Sequence, residues 1–228
     1  PSAMELFPSM FHDSTPLGPC PALPTADVVF SILQPDHPNG LQAQLTKLVA
    51  SFAASPQNPT LCGATIDESA GPVIVEQTAH IEPGTHLIGP CYVGHHAEIR
   101  HAAYVRQFSW ICSKAVVGHA SETKHSILLP GAKAPHFNYV GDSILGTGVN
   151  LGAGTKISNL RNDGGEVHLR MDGARFGSGL RKFGAILGER CQLGCNSVTN
   201  PGVILGCDSQ VHPNTTVTGV YSADSRHG

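Results

Sequence analysis

From Val75 onward, a large aliphatic residue recurs at every sixth position: Ile81, Leu87, Val93, Ile99, Val105, Ile111 and Val117, with Thr123 ending the run. Four places after each beat stands a small residue: Ala79, Thr85, Cys91, Ala97, Ala103, Ser109, Ala115 and Ser121. A hexapeptide period of this kind is the mark of a parallel β-helix, in which each hexad is a short strand plus a turn and three hexads close one triangular coil. The aliphatic fills the prism interior. The small residue points inward where two faces meet, and added bulk there would overpack the corner. Glycines that follow the beat, such as Gly94, Gly118, Gly188 and Gly206, suit a backbone that turns tightly. Chance alternation in a β-sandwich does not hold its phase over so many consecutive hexads.

The beat returns at Leu145, Leu151 and Ile157, and again at Leu187, Leu193, Thr199, Leu205, Val211 and Val217. The two breaks, near 130–139 and 160–183, are expected to be loops leaving the solenoid, and such loops commonly carry function. Ahead of the repeat, the turn-forming Asp36-His37-Pro38-Asn39-Gly40 leads into Leu41, Leu45, Leu48, Val49 and Phe52, apolar at helical spacing. One amphipathic helix is expected from about 40 to 54, packed on the end of the prism as a cap over its open strands. The division is therefore an N-terminal segment, 1–72, and an all-β solenoid, 73–228.

Composition narrows the functional classes. Only 14% of the 228 residues are charged, the net charge is -3 and no basic run stands out, which argues against a nucleic-acid partner. No apolar run approaches the roughly 18 residues of a membrane span, and no signal peptide is visible, so the cytoplasm is the expected compartment. The seven cysteines are odd in number and lack CxxC spacing. Cys91 and Cys191 fall on inward small positions and read as reduced core residues.

The segments Lys133-Ala134-Pro135-His136, Tyr139-Val140-Gly141-Asp142 and Val149-Asn150-Leu151-Gly152-Ala153-Gly154-Thr155 carry a resemblance. Over about residues 75–220 the chain resembles the acetyltransferase domain of bacterial bifunctional glucosamine-1-phosphate acetyltransferase/uridylyltransferase. The run from Gly179 to Gly188 is also similar to stand-alone sugar nucleotidyltransferase-like relatives. The resemblance implies a left-handed coil, since spacing alone does not give handedness, and a homotrimer. It implies acyl transfer from acetyl-CoA to an amino-sugar phosphate or nucleotide sugar. His136 stands at the family's general base. Arg106, Lys124, Tyr139, Asn150, Asn159 and Lys182 match substrate contacts. Ala153 matches the residue whose backbone amide faces the thioester carbonyl. Cys195 and Pro213 fall near the coenzyme, where a serine and a small residue are expected.

These residue types suit that chemistry. An amino sugar is largely protonated at neutral pH and must lose a proton before its nitrogen can attack a thioester, and a histidine titrates in the working range. An arginine fork and a lysine point charge suit a phosphate. A backbone N–H in a glycine-flanked turn suits an oxyanion. The mechanism requires no metal. Two other readings stay open: a non-catalytic trimer that binds a sugar phosphate, and a metalloenzyme like the γ-class carbonic anhydrases, which share the prism. For the latter, His101 and His119 are one coil apart and would stack on one face.

Overall fold

The computed structural model describes residues 10–11, 16–25, 27–52, 61 and 63–228. The repeat forms three eight-stranded parallel sheets, and each coil contributes one strand to each sheet. The first face runs from Thr65–Asp67 to Thr216–Val217, the second from Val73–Val75 to Val220–Tyr221, and the third from His80–Ile81 to Arg226–His227. Coil formation thus begins at Thr65, ahead of the boundary expected at 73.

The interior holds the residues of the six-residue beat. Val75, Leu87, Val93, Ile99, Val105, Ile111 and Val117 are fully buried in one cluster with the small Cys91, Ala97, Ala103 and Ala115. Burial of each large aliphatic contributes about 1.5–3 kcal/mol. The hydroxylic members of the inward column bond one another: Ser109 Oγ lies 3.1 Å from Thr123 Oγ1, and Thr155 Oγ1 lies 3.2 Å from Ser197 Oγ.

Residues 130–139 do not leave the coil, contrary to expectation. Strand Lys133–His136 pairs in parallel with Val116–His119 on one side and, through Lys133, with Asn150 on the other. The beat is lost there because two corners each lack one residue. The interior sequence steps from Thr123 to Leu128, through Ala134 and Val140, and then to Leu145. Ala134 also takes a beat position where large aliphatics stand elsewhere, so both phase and size hide the coil. The second break does leave it. Residues 158–184 run out between strands Lys156–Ile157 and Ala185–Leu187 and carry an antiparallel hairpin, His168–Met171 with Ala174–Gly177.

The second face is apolar on its outside too. Ile74, Tyr92, Trp110, Ile127, Ile144, Ile186 and Ile204 form a second buried cluster. Over them lie the 3-10 turn Val29–Leu33 and the helix Leu41–Phe52, whose buried residues are Leu41, Leu45 and Val49. The helix therefore covers a flank of the prism and does not cap its end. Its expected last residues, 53–54, lie outside the described ones. Val167, Leu169, Leu180 and Phe183 extend the cover from the 158–184 excursion, and the Phe30 and Phe183 rings meet at 5.6 Å.

No disulfide joins the described cysteines, and burial pushes the Cys91 and Cys191 thiols up to about 12. No helix among the described residues is long and apolar enough to cross a membrane.

The inward corner column accepts only small side chains. Ala103→Leu should overpack its coil by about 1–3 kcal/mol, visible as a lowered melting temperature. An unchanged melting temperature would contradict the observed phase of the repeat.

Candidate functional site

The two shortened corners build the site. Each joins the first face to the second, and each has one non-glycine residue at positive φ: His125 at 44° and Asp142 at 49°. Both side chains are nonetheless buried in the cavity wall, His125 at 5% exposed and Asp142 at 4%. They sit on successive coils, with the Lys124 carbonyl accepting from the Asp142 N–H. Asp142 becomes a hub. Its Oδ1 accepts from His125 Nδ1 at 2.9 Å, both carboxylate oxygens accept from Lys124 Nζ at 3.1 Å, and Oδ2 accepts from Asn159 Nδ2 at 2.6 Å. Burial alone would raise the Asp142 carboxyl, but the His125 hydrogen bond, the Lys124 charge and the Asn159 amide together hold it below its usual value.

Asn159 Nδ2 also lies 3.1 Å from the Tyr139 hydroxyl, whose pKa is raised by burial against the pull of that contact. Arg106 stands one coil before Lys124 in the same register and points along the outer side of the first face. There its Nη1 donates to Glu122 Oε1 at 2.8 Å, over the Tyr104 ring. Both partners of that pair are one-third exposed, so it adds little stability.

Beside the hub lies a cavity of about 660 Å³. Lys124, His125 and Asp142 form part of its wall, Leu33 and Pro35 come from the N-terminal segment, and Arg181 and Lys182 come from the excursion. Lys182 therefore shares this cavity with Lys124, although the two are 58 positions apart in sequence. His125 Nε2 is buried there and has no hydrogen-bond partner among the described residues.

The remaining candidates occupy the opposite edge of the first face, at its corner with the third. His136, Ala153, Cys195 and Pro213 stack there on successive coils. The His136 carbonyl accepts from the Gly154 N–H, the Ala153 carbonyl from Asn196 and the Cys195 carbonyl from Asn214, each at 2.9 Å. The His136 side chain is exposed, and its backbone N–H is satisfied by Asn138 Oδ1 at 3.0 Å. Asn138 in turn is 3% exposed and donates to the Gly152 and Thr155 carbonyls, fixing this corner from inside. Among the described residues neither the His136 ring nor the Ala153 N–H has a hydrogen-bond partner. Asn150 is separated from the others: it lies on the outer side of the third face, in register with Lys133 and Gln192.

The stacked histidines expected at 101 and 119 are present, rings 5.5 Å apart and 10° from parallel. Their Nδ1 atoms are taken by the Pro83 and His101 carbonyls.

The structure thus brings Arg106, Lys124, Tyr139 and Asn159 onto one face, with His136 and Ala153 at one edge and Lys182 over the other. Sequence reasoning overlooked Asp142 and His125. The available signal was the phase slip: Glu122 pairs with Tyr139, one residue short of the usual eighteen-residue coil that pairs Tyr104 with Glu122.

Residues 87–225 match the family model described as the GMPPB C-terminal domain. The chain is 41% identical over 147 residues to a bifunctional sugar-1-phosphate nucleotidylyltransferase/acetyltransferase of Sulfurisphaera tokodaii, covering 64% of this chain and 37% of that protein. It is 39% identical over 115 residues to the bifunctional protein GlmU of Methanococcus vannielii, covering 50% and 28%. An uncharacterized acetyltransferase YaiX of Escherichia coli O6:K15:H31 is 27% identical over 194 residues, covering 83% and 84%. The chain spans well under half the length of the two bifunctional relatives.

The hub gives a stability prediction with a definite pH sign. Asp142→Ala strands the buried His125 and the half-buried Lys124 and should cost about 3–5 kcal/mol in denaturant unfolding at pH 7. Because the folded carboxyl is depressed, its stabilisation is complete above the ordinary carboxylate value of about 3.9 and is lost as pH falls through the folded value. The stability gap between wild type and Asp142→Asn should therefore be constant near neutrality and narrow in acid. A gap that widens on acidification would mean the carboxyl is not held ionised.

Proposed function

The chain belongs to the GMPPB C-terminal domain family, and from its similarity to relatives named as acetyltransferases we propose that it transfers an acetyl group from acetyl-CoA to an amino sugar bearing a phosphate or nucleotide. The observation that carries this reading is the corner of His136 and Ala153. An exposed imidazole and an unpaired backbone N–H stand on adjacent coils, about 4.8 Å apart along the hydrogen-bonding direction, beside a face that carries Arg106, Lys124 and Tyr139.

In this mechanism His136 takes a proton from the acceptor nitrogen as that nitrogen attacks the thioester carbonyl. The Ala153 N–H donates to the oxygen that gains charge, a contribution of the oxyanion-hole type. When the C–S bond breaks, His136 returns the proton to the leaving thiolate. Lys124 and Lys182 hold the acceptor's anionic group at the other edge of the face, and Arg106 offers the donors that Glu122 leaves free. Asp142 keeps Lys124 and Asn159 in place and Asn159 orients the Tyr139 hydroxyl, so the polar surface is set before substrate arrives. Cys195 and Pro213 continue the His136 corner and would line the path of the coenzyme. The assembly is a closed homotrimer that packs these prisms side by side.

His136→Ala should lower kcat by roughly 10²–10⁴-fold with little change in KM. Lys124→Ala should raise KM for the sugar phosphate more than it slows saturated turnover. The wild-type rate should rise with pH as the general base gives up its proton, and that limb should vanish in His136→Ala. Thiol release with acetyl-CoA and a panel of amino sugars and their 1-phosphates reads all three. Wild-type turnover in His136→Ala would sink the proposal and leave the non-catalytic binding reading.

Light scattering should return about three times the 23.9 kDa chain mass. A clean monomer at micromolar concentration would remove the trimer and any site shared between copies.

A further inference from the structure

The excursion at 158–184 carries chemistry that acyl transfer at the His136 corner does not use. Its hairpin is seated firmly on the last coils, where two glycines admit its backbone. Gly202 and Gly219, at φ of 84° and 112°, face the carbonyls of His168 and Arg170, and a Cβ at either would approach those oxygens to 3.1 Å. Leu169 is 3% exposed and belongs to the buried cover of the second face. Strand alternation therefore sends its neighbours His168 and Arg170 to the opposite side.

There Arg170 stands directly across the strand pair from Arg175. Like charges directly opposite are destabilising, and among the described residues neither guanidinium has an acidic partner. Both line a groove of about 380 Å³ between the hairpin and the outer edge of the first face. The floor is Ser158, Asn200 and Thr218, in register on successive coils. A third arginine, Arg161, pairs with Asp163 and donates from Nη1 to His168 Nδ1 at 2.8 Å. Since a guanidinium only donates, His168 Nδ1 must accept, which leaves Nε2–H as the ring's donor. Three arginines against one aspartate make a positive groove in a chain whose net charge is -3.

We propose that this groove binds a phosphate or diphosphate group, held by the opposed forks of Arg170 and Arg175. A doubly charged tetrahedral anion accepts bidentate bonds from both guanidiniums and removes their mutual repulsion. The site goes beyond the acyl-transfer reading and does not depend on His136. Two sources share this chemistry, the phosphates of a coenzyme A thioester and the phosphate or diphosphate of a sugar acceptor.

Titration calorimetry on the full chain tests it with inorganic pyrophosphate, coenzyme A, glucosamine 1-phosphate and uncharged glucosamine. The wild type should bind pyrophosphate, and Arg170→Ala with Arg175→Ala should weaken that binding by about ten- to a hundredfold per arginine lost. Without ligand, the double variant should melt at or above the wild-type temperature, since a repulsion has been relieved. A matching loss for coenzyme A identifies the donor's phosphates as the ligand, and a loss for glucosamine 1-phosphate identifies the acceptor's. His136→Ala should bind pyrophosphate as the wild type does, so a failure of acyl transfer leaves this result standing. Undiminished affinity of the double variant for every charged probe, or a wild type that binds none of them, overturns the proposal.

Discussion

The outer row of the second face cannot be left in water. Ile74, Tyr92, Trp110, Ile127, Ile144, Ile186 and Ile204 point away from the prism interior, yet all are buried. A parallel sheet that is apolar on both sides needs a layer on each, and the solenoid supplies only one. The N-terminal segment supplies the other over the early coils and the 158–184 excursion over the later ones, meeting where Phe30 touches Phe183. Polar atoms of the row are satisfied: Trp110 Nε1 donates to the Pro19 carbonyl of the cover at 3.3 Å, and the Tyr92 hydroxyl to Glu76 of the preceding coil at 2.9 Å. The cavity beside Asp142 forms where these two covers approach the same corner, so the demand for burial on one face shapes the pocket on the next.

Within that corner the chemistry depends on a small departure from regularity. Longer corners such as Arg106-Gln107-Phe108-Ser109 put Phe108 at positive φ and leave it partly exposed. Where the same corner is one residue short on two successive coils, a histidine and an aspartate lie buried beside the cavity, where an unpaired charge would be costly. Asp142 meets that cost with Lys124, His125 and Asn159. A buried charge with three donors is sensitive to loss of any partner but fixes the positions of all of them. Asn159 hands the same order on to Tyr139.

The first face therefore has two edges of different character. At one, His136 and Ala153 keep unengaged groups at an exposed corner. At the other, Lys124 and His125 are locked in a buried network beside a cavity roofed by residues from outside the repeat. An acyl acceptor that spans the face would meet a titratable group at one end and fixed positive charge at the other. That division separates proton transfer from anion binding.

The hexapeptide beat was enough to specify the solenoid, because interior volume and corner space recur every coil and constrain residue size at positions i and i+4. Arg106 and Lys124 lie eighteen residues apart, one full coil, so their spacing translates directly into the same register on one face. Spacing alone misread 130–139 as a loop because a one-residue slip at Lys124–Ser126, with Ala134 on the beat, removes the periodic signal without removing the strand. It placed the helix on the open end because helical spacing reveals that Leu41, Leu45 and Val49 need a partner, but not which surface offers one. The partner was legible only in part, in triplets such as Val73-Ile74-Val75 and Val203-Ile204-Leu205, apolar at every position. Only the tertiary structure decided that Asp142 would hold Lys124, His125 and Asn159 together and that Lys182 would reach the same cavity. Those contacts join residues on different coils and across an excursion, and distances of that kind are set by how the chain stacks and not by how its residues are spaced.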